Sequence, residues 1–69
     1  MKFKVGDILM KIEDTEFDPV IIDNINASDY DLIDIPNRHM SGFWISSSIV
    51  DESYRLATDD EIKFLRIML

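Results

Sequence analysis

The sequence predicts a mainly β, single-domain protein: a small barrel or strongly bent sheet of five strands, followed by a C-terminal α-helix. Three observations carry this prediction. Alternating or β-branched runs of roughly four to six residues recur about every ten positions, with turn-forming residues between them. Residues 58–69 then change to helical start signals and a helical apolar pattern. A chain of 69 residues also has no room for a second core. The expected organisation is one domain over 1–69, with the barrel at 3–57 and a capping helix at 58–69.

In "KFKVGD", Phe3 and Val5 alternate with Lys2 and Lys4, and Gly6-Asp7 supplies a turn. "ILMKIE" places Ile8, Met10 and Ile12 on one side and Lys11 and Glu13 on the other, the pattern of a half-buried strand. Glu13 to Pro19 is a loop by composition, and Pro19 ends it by fixing its own φ and pushing Asp18 toward extended geometry. "VIIDNINA" is β-branched and forms a second strand, with a turn at Asn26-Ala27-Ser28-Asp29.

"YDLIDI" follows as a third strand with Tyr30 and Leu32 on one face, and residues 36–42 form the next connection. "FWIS" gives a fourth strand and "YRLA" a fifth; "SSIVDES" between them looks too short and polar for regular structure. Thr58 is a good N-cap, Glu61 completes a T-x-x-E capping box, and Asp59, Asp60 and Glu61 complement the positive end of the helix dipole. At 100° per residue, the apolar side chains from Ile62 onward cover an arc of about 220°, leaving Lys63 and Arg66 together on the polar side. That arc exceeds the stripe that one barrel mouth covers.

Composition limits the function. Fourteen acidic against seven basic residues give a formal charge of −7, which opposes binding to a phosphate backbone. Direct nucleic-acid binding is therefore not expected. The 46% apolar content is that of a folding domain, not of a disordered acidic segment. Without cysteine the chain has neither a disulfide nor a thiolate metal site, so its core or a partner supplies the stability. No run approaches the length of a membrane span, and Gly6-Asp7 interrupts any signal-like start, so a cytoplasmic location is expected.

The stretches "FKVGDIL", "YDLIDI", "GFWI" and "IVDESYRLAT" together resemble small SH3-like β-barrel accessory proteins of phage and bacterial type. The resemblance covers most of residues 3–58. It implies a closed five-stranded barrel, a short 3₁₀ turn around Ser48 to Asp51 leading into the last strand, and a first loop, Glu13 to Pro19, in the place of the partner-contacting loop of signalling SH3 domains. The aromatic motif and tandem tryptophan of proline-rich-peptide binders are missing, as are the basic loops of nucleic-acid-binding barrels. The resemblance therefore implies a fold without a ligand.

Catalytic and metal chemistry finds little footing. Asp23 to Asp31 looks superficially like a calcium loop, but Ile25 and Ala27 occupy ligand places and Ser28 stands where glycine is needed. The expected reading is a solvated acidic turn. His39 is the single histidine, which excludes a histidine pair on zinc and a Cys-His nucleophile. Neither a nucleophile elbow nor a glycine-rich phosphate loop is present, so no catalytic residue, cofactor or metal ligand is assigned and the chain is not expected to be an enzyme.

The candidate binding residues are apolar side chains in acidic surroundings. Phe17, between Glu16 and Asp18, has no sheet to pack in: it either plugs one barrel mouth or meets a partner. Phe43 and Trp44 are adjacent on a strand and point to opposite faces. The favoured arrangement buries Phe43 and Ile45 and leaves Trp44 half covered by the C-terminal helix; the other makes Trp44 an exposed anchor. The surplus of the helix arc has two readings: terminal fraying at Met68 and Leu69 over a helix that is a simple lid, or an outer part, Phe64 and Ile67, that is a docking surface for another protein or for a second copy in a homodimer. The first functional expectation is a non-enzymatic module that binds and modulates a host protein, as a phage or mobile-element accessory protein does. The alternatives are an acidic nucleic-acid mimic that fills a basic groove, and a small subunit stable only in a larger assembly.

Overall fold

The computed structural model describes residues 2–13, 18–35 and 42–68, with Met68 as backbone alone. Strand β1 (Ile8–Lys11) is followed by β2 (Val20–Ile25), β3 (Asp29–Asp34) and β4 (Phe43–Ser46). Helix α1 (Ser47–Ser53) leads into β5 (Tyr54–Leu56), and helix α2 (Asp59–Met68) completes the chain. The five strands form one antiparallel sheet in the order β4-β3-β2-β1-β5. Each strand expected from the sequence is present, in the expected order.

Strand β1 is an interior strand that pairs with β2 on one side and with β5, far away in sequence, on the other. Its entry is a bulge: Gly6 N–H donates to Ile22 C=O (2.9 Å), and Ile22 N–H donates to Asp7 C=O (3.0 Å), so two residues face one. Gly6 takes φ +92° there, a conformation that a residue with a Cβ adopts only under strain. The Asp7 carboxylate turns back to accept from Lys4 N–H at 3.0 Å. A second bulge, at Asp23, interrupts the β2–β3 register between Ile22 and Asn24.

One face of the sheet carries the core. Phe3, Leu9, Val20, Ile22, Tyr30, Leu32, Val50 and Tyr54 form a buried cluster, with Ile25 and Ile45 packed against it. At its centre the Tyr30 hydroxyl, fully buried, accepts from Phe3 N–H at 3.1 Å and donates to an Asp51 carboxylate oxygen at 2.8 Å. That oxygen also receives Lys2 N–H at 3.4 Å. Burial, with a smaller contribution from the Asp51 carboxylate, raises the phenol above its ordinary pKa. One hydroxyl thus ties the N-terminal segment, β3 and α1 together.

Three expectations are corrected. Leu9, not the Ile8-Met10-Ile12 set, faces the main core: Leu9 is opposite Val20 in the register, whereas Ile12 is 53% exposed. Met10 is also buried, but on the other face, where it lies apart from the main cluster. "SSIVDES", expected to be irregular or a 3₁₀ turn, is the α-helix α1, because Val50 anchors it in the core and Asp51 accepts the tyrosine proton. The barrel closure expected from the sequence is not made by strand pairing. β4 and β5 are the two edges of the sheet, and α1, which joins them in sequence, contacts β3, β4 and β5.

Replacing Tyr30 by Phe keeps the ring and deletes the hydroxyl, leaving Phe3 N–H and Asp51 without their buried partner. Tyr30→Phe is expected to lower the free energy of unfolding by about 1–3 kcal/mol. Urea unfolding should show this as a lower midpoint with an unchanged slope; an unchanged midpoint would remove the hydroxyl from the fold's support.

Candidate functional site

The expected binding residues fall into three groups. Glu16 and Phe17 lie outside the described residues, as does His39. Asp18 is half-buried beside the fully buried Pro19, whose carbonyl accepts from Ile35 N–H at 3.1 Å. Trp44 lies on β4 at one edge of the sheet, and Phe64 and Ile67 lie on α2, beyond the other edge. The structure does not bring these groups into one site.

At the β4 edge, Phe43 pairs with Leu32 and Ile45 with Tyr30, which puts both on the core side; Trp44 pairs with Asp31 on the opposite side. Ile45 packs on the core, whereas Phe43, at the strand's start, is 39% exposed. Trp44 is 70% exposed. The expected half-cover by the C-terminal helix is thus absent from Trp44, because the helix follows β5, at the far edge of the sheet. Asp23, Asp31, Gly42, Phe43 and Trp44 line a shallow hollow of about 280 Å³. Gly42 fits this corner because a Cβ at that position would come within 3.0 Å of the Leu32 carbonyl oxygen.

The acidic side of the hollow follows from the hairpin. The run from Asp23 to Asp31, calcium-like on paper, folds as the end of β2, a tight turn and the start of β3, closed by Asn26 N–H to Asp29 C=O at 2.9 Å. Asn26 Nδ2 donates to the Asp31 carboxylate at 3.1 Å and orients it. Among the described residues, no three His, Cys, Asp or Glu side chains converge in a metal-binding arrangement.

Helix α2 begins with the capping box. Thr58 N–H donates to Glu61 Oε1 at 2.9 Å, and Glu61 N–H donates to Thr58 Oγ1 at 3.2 Å. Arg55 adds a two-pronged grip on the same carboxylate, at 2.7 and 2.9 Å. Arg55 is the register partner of Met10, so it leaves the sheet on the face opposite the core and fixes the start of the helix there. The Arg55 guanidinium, with the Thr58 N–H, holds the Glu61 carboxyl down at a pKa of about 2. Among the described α2 side chains only Leu65 is fully buried; Phe64 is 49% and Ile67 81% exposed. Within the described part of the apolar arc, Phe64 and Ile67 thus face outward.

A second hollow, of about 450 Å³, lies between the end of β1 and the end of α1, lined by Lys11, Ile12, Glu13, Glu52 and Ser53. It contains both charge signs and an exposed isoleucine. Sequence reading missed this hollow, the Arg55–Glu61 pair and the Asp23–Asp31–Trp44 grouping, since all depend on register between segments. No described helix is long and apolar enough to cross a membrane. No protein-family model, curated protein or solved structure matches the chain.

Because the folded Glu61 pKa lies below its ordinary value of 4.5, the carboxylate contributes stability that is fully present above that value and is lost as pH falls toward about 2. Glu61→Gln should therefore lose less stability than the native chain between pH values on either side of this window. Chemical unfolding at the two pH values measures the difference, and equal losses would show that the ion pair is screened out by solvent.

Proposed function

We propose that this chain is a non-enzymatic protein-interaction module on an SH3-like framework, with the barrel left open between β4 and β5. The pairing of β1 with both β2 and β5 and the helical segment between β4 and β5 support the framework. The observation that carries the function is that Trp44, Phe64 and Ile67 are large apolar side chains held on regular elements and yet largely exposed. Tryptophan is enriched among residues that dominate interface energies, and burying such side chains is the main favourable term in association. The net charge of −7 makes the preferred partner basic on the surface it presents, speeding encounter more than it strengthens the final complex.

The test is capture of a partner from the native cell by the full chain, compared with Trp44→Ala and Ile67→Ser, at low and high salt. An apolar interface predicts that capture survives high salt and drops about tenfold or more on truncation of the residue that anchors it. Capture that vanishes in high salt and is indifferent to both substitutions overturns this reading in favour of nucleic-acid mimicry. Sedimentation decides the occupant of the α2 surface. A dimer lost in Ile67→Ser assigns that surface to a second copy; a monomer at every concentration reserves it for the partner.

A further inference from the structure

The β4 edge combines a main chain that no strand pairs among the described residues, an exposed indole and two carboxylates, and the phase of its hydrogen bonding can be fixed. Ser47 N–H donates to Ser28 C=O at 2.8 Å beyond one end of the β3–β4 ladder. Since hydrogen-bonded pairs alternate along an antiparallel ladder, Ile45 with Tyr30 and Phe43 with Leu32 are the bonded pairs. The β2 side agrees independently. Asn26 N–H to Asp29 C=O and Ile35 N–H to Pro19 C=O direct Asp29 and Ile35 toward β2, and by alternation Tyr30 and Leu32 toward β4. Trp44 therefore directs its own N–H and C=O away from β3, toward an edge at which no described strand pairs.

We propose that β4 accepts an extended basic segment of a partner protein as an added strand, with a lysine or arginine of that segment seated between the Trp44 indole and the Asp31 and Asp23 carboxylates. The inference rests on the protein-binding reading above and names the partner's chemistry. A residue paired with Trp44 has its side chain on the Trp44 and Asp31 face, within reach of both. A cation there meets an aromatic face and two carboxylates that no cation neutralises among the described residues. The flanking residues of the added strand point to the other face, where half-exposed Phe43 offers apolar contact. The recognised pattern is thus apolar, cationic, apolar, with main-chain hydrogen bonds supplying affinity and the hollow supplying specificity.

Charge also decides against a second copy of this chain as the occupant. Edge-to-edge pairing of two β4 strands would bring the Asp23 and Asp31 carboxylates of both copies together, between molecules of charge −7. The edge strand itself carries no lysine or proline to block addition.

The experiment titrates the full chain with a short capped peptide alternating arginine and valine, followed by calorimetry and by the emission of Trp44, the single tryptophan. Expected is a one-to-one complex that shifts the indole emission and weakens about tenfold in Trp44→Ala and in Asp31→Asn. Asp60→Asn, which removes the same charge from α2, should leave the affinity within about twofold, because exposed charges beyond a Debye length are screened. N-methylation of the peptide bond that meets Trp44 should abolish binding. Equal losses in Asp31→Asn and Asp60→Asn, or full binding by the N-methylated peptide, would reduce the effect to diffuse charge attraction and overturn the proposal. Failure of the peptide to bind, while cellular capture still depends on Trp44, would overturn the strand-addition proposal and leave the protein-binding reading standing.

Discussion

The fold depends on a buried phenol. Tyr30 places one hydroxyl where the N-terminal segment, β3 and α1 meet, and satisfies a backbone donor and a carboxylate with it. A tyrosine suits the place because its ring fills the core beside Phe3, at 6.1 Å between centroids, while its hydroxyl needs a partner once dehydrated. The arrangement also explains why a helix as short as α1 holds without a side-chain cap hydrogen bond. It is pinned by Val50 and Asp51 instead of by its own ends. Breaking this point loosens three segments at once.

A second anchor, Arg55 with Glu61, does for α2 what Tyr30 does for α1. The two anchors leave the sheet on opposite faces, so the helices are not alternative covers for one core. α1 completes the main core, whereas α2 is tied through Glu61 to Arg55, on the face that holds Met10, and Leu65 is its one buried side chain among those described. The start of α2 is fixed by the capping box, and beyond it Leu65 is buried while Phe64 and Ile67 are exposed. The β4 edge reaches a similar state by another route. Its residues are held in register by β3, and the exposure of Trp44 follows from pairing with Asp31, on the side away from the core.

Much of this was legible wherever the signal was local. "YDLIDI" puts Tyr30 and Leu32 on one face by strict alternation, and both are fully buried. "TDDE" encodes the helix start through four adjacent residues, and its reciprocal hydrogen bonds form as the pattern requires. The phase of β1 was not legible, because Ile8, Leu9 and Met10 are all apolar and alternation cannot choose among them. The choice is made by the register with β2 and β5, which sets Leu9 on the core face beside Val20 and Met10 on the other. α1 was missed for a related reason: three serines and two acids hide a single buried valine, and the partner of Asp51 lies 21 residues upstream. The binding candidates divided the same way. Trp44 could be placed on a strand but not given a degree of exposure, since that depends on which strand lies at the edge.

The position of β1 also sets an order of events for the chain as it folds. The β2–β3 and β3–β4 pairs join neighbours in sequence and close short loops at low entropic cost. β1 belongs to a different class, because its second edge is finished only by residues 54–56, more than forty positions later. Until then β1 is a three-sided problem: paired to β2, lacking β5, and with Leu9 and Met10 still in water. Such long-range closure slows folding and lengthens the time in which an apolar edge is open to wrong partners. The same β1–β5 pairing that makes the finished sheet cooperative is therefore the step at which a nascent chain is most vulnerable.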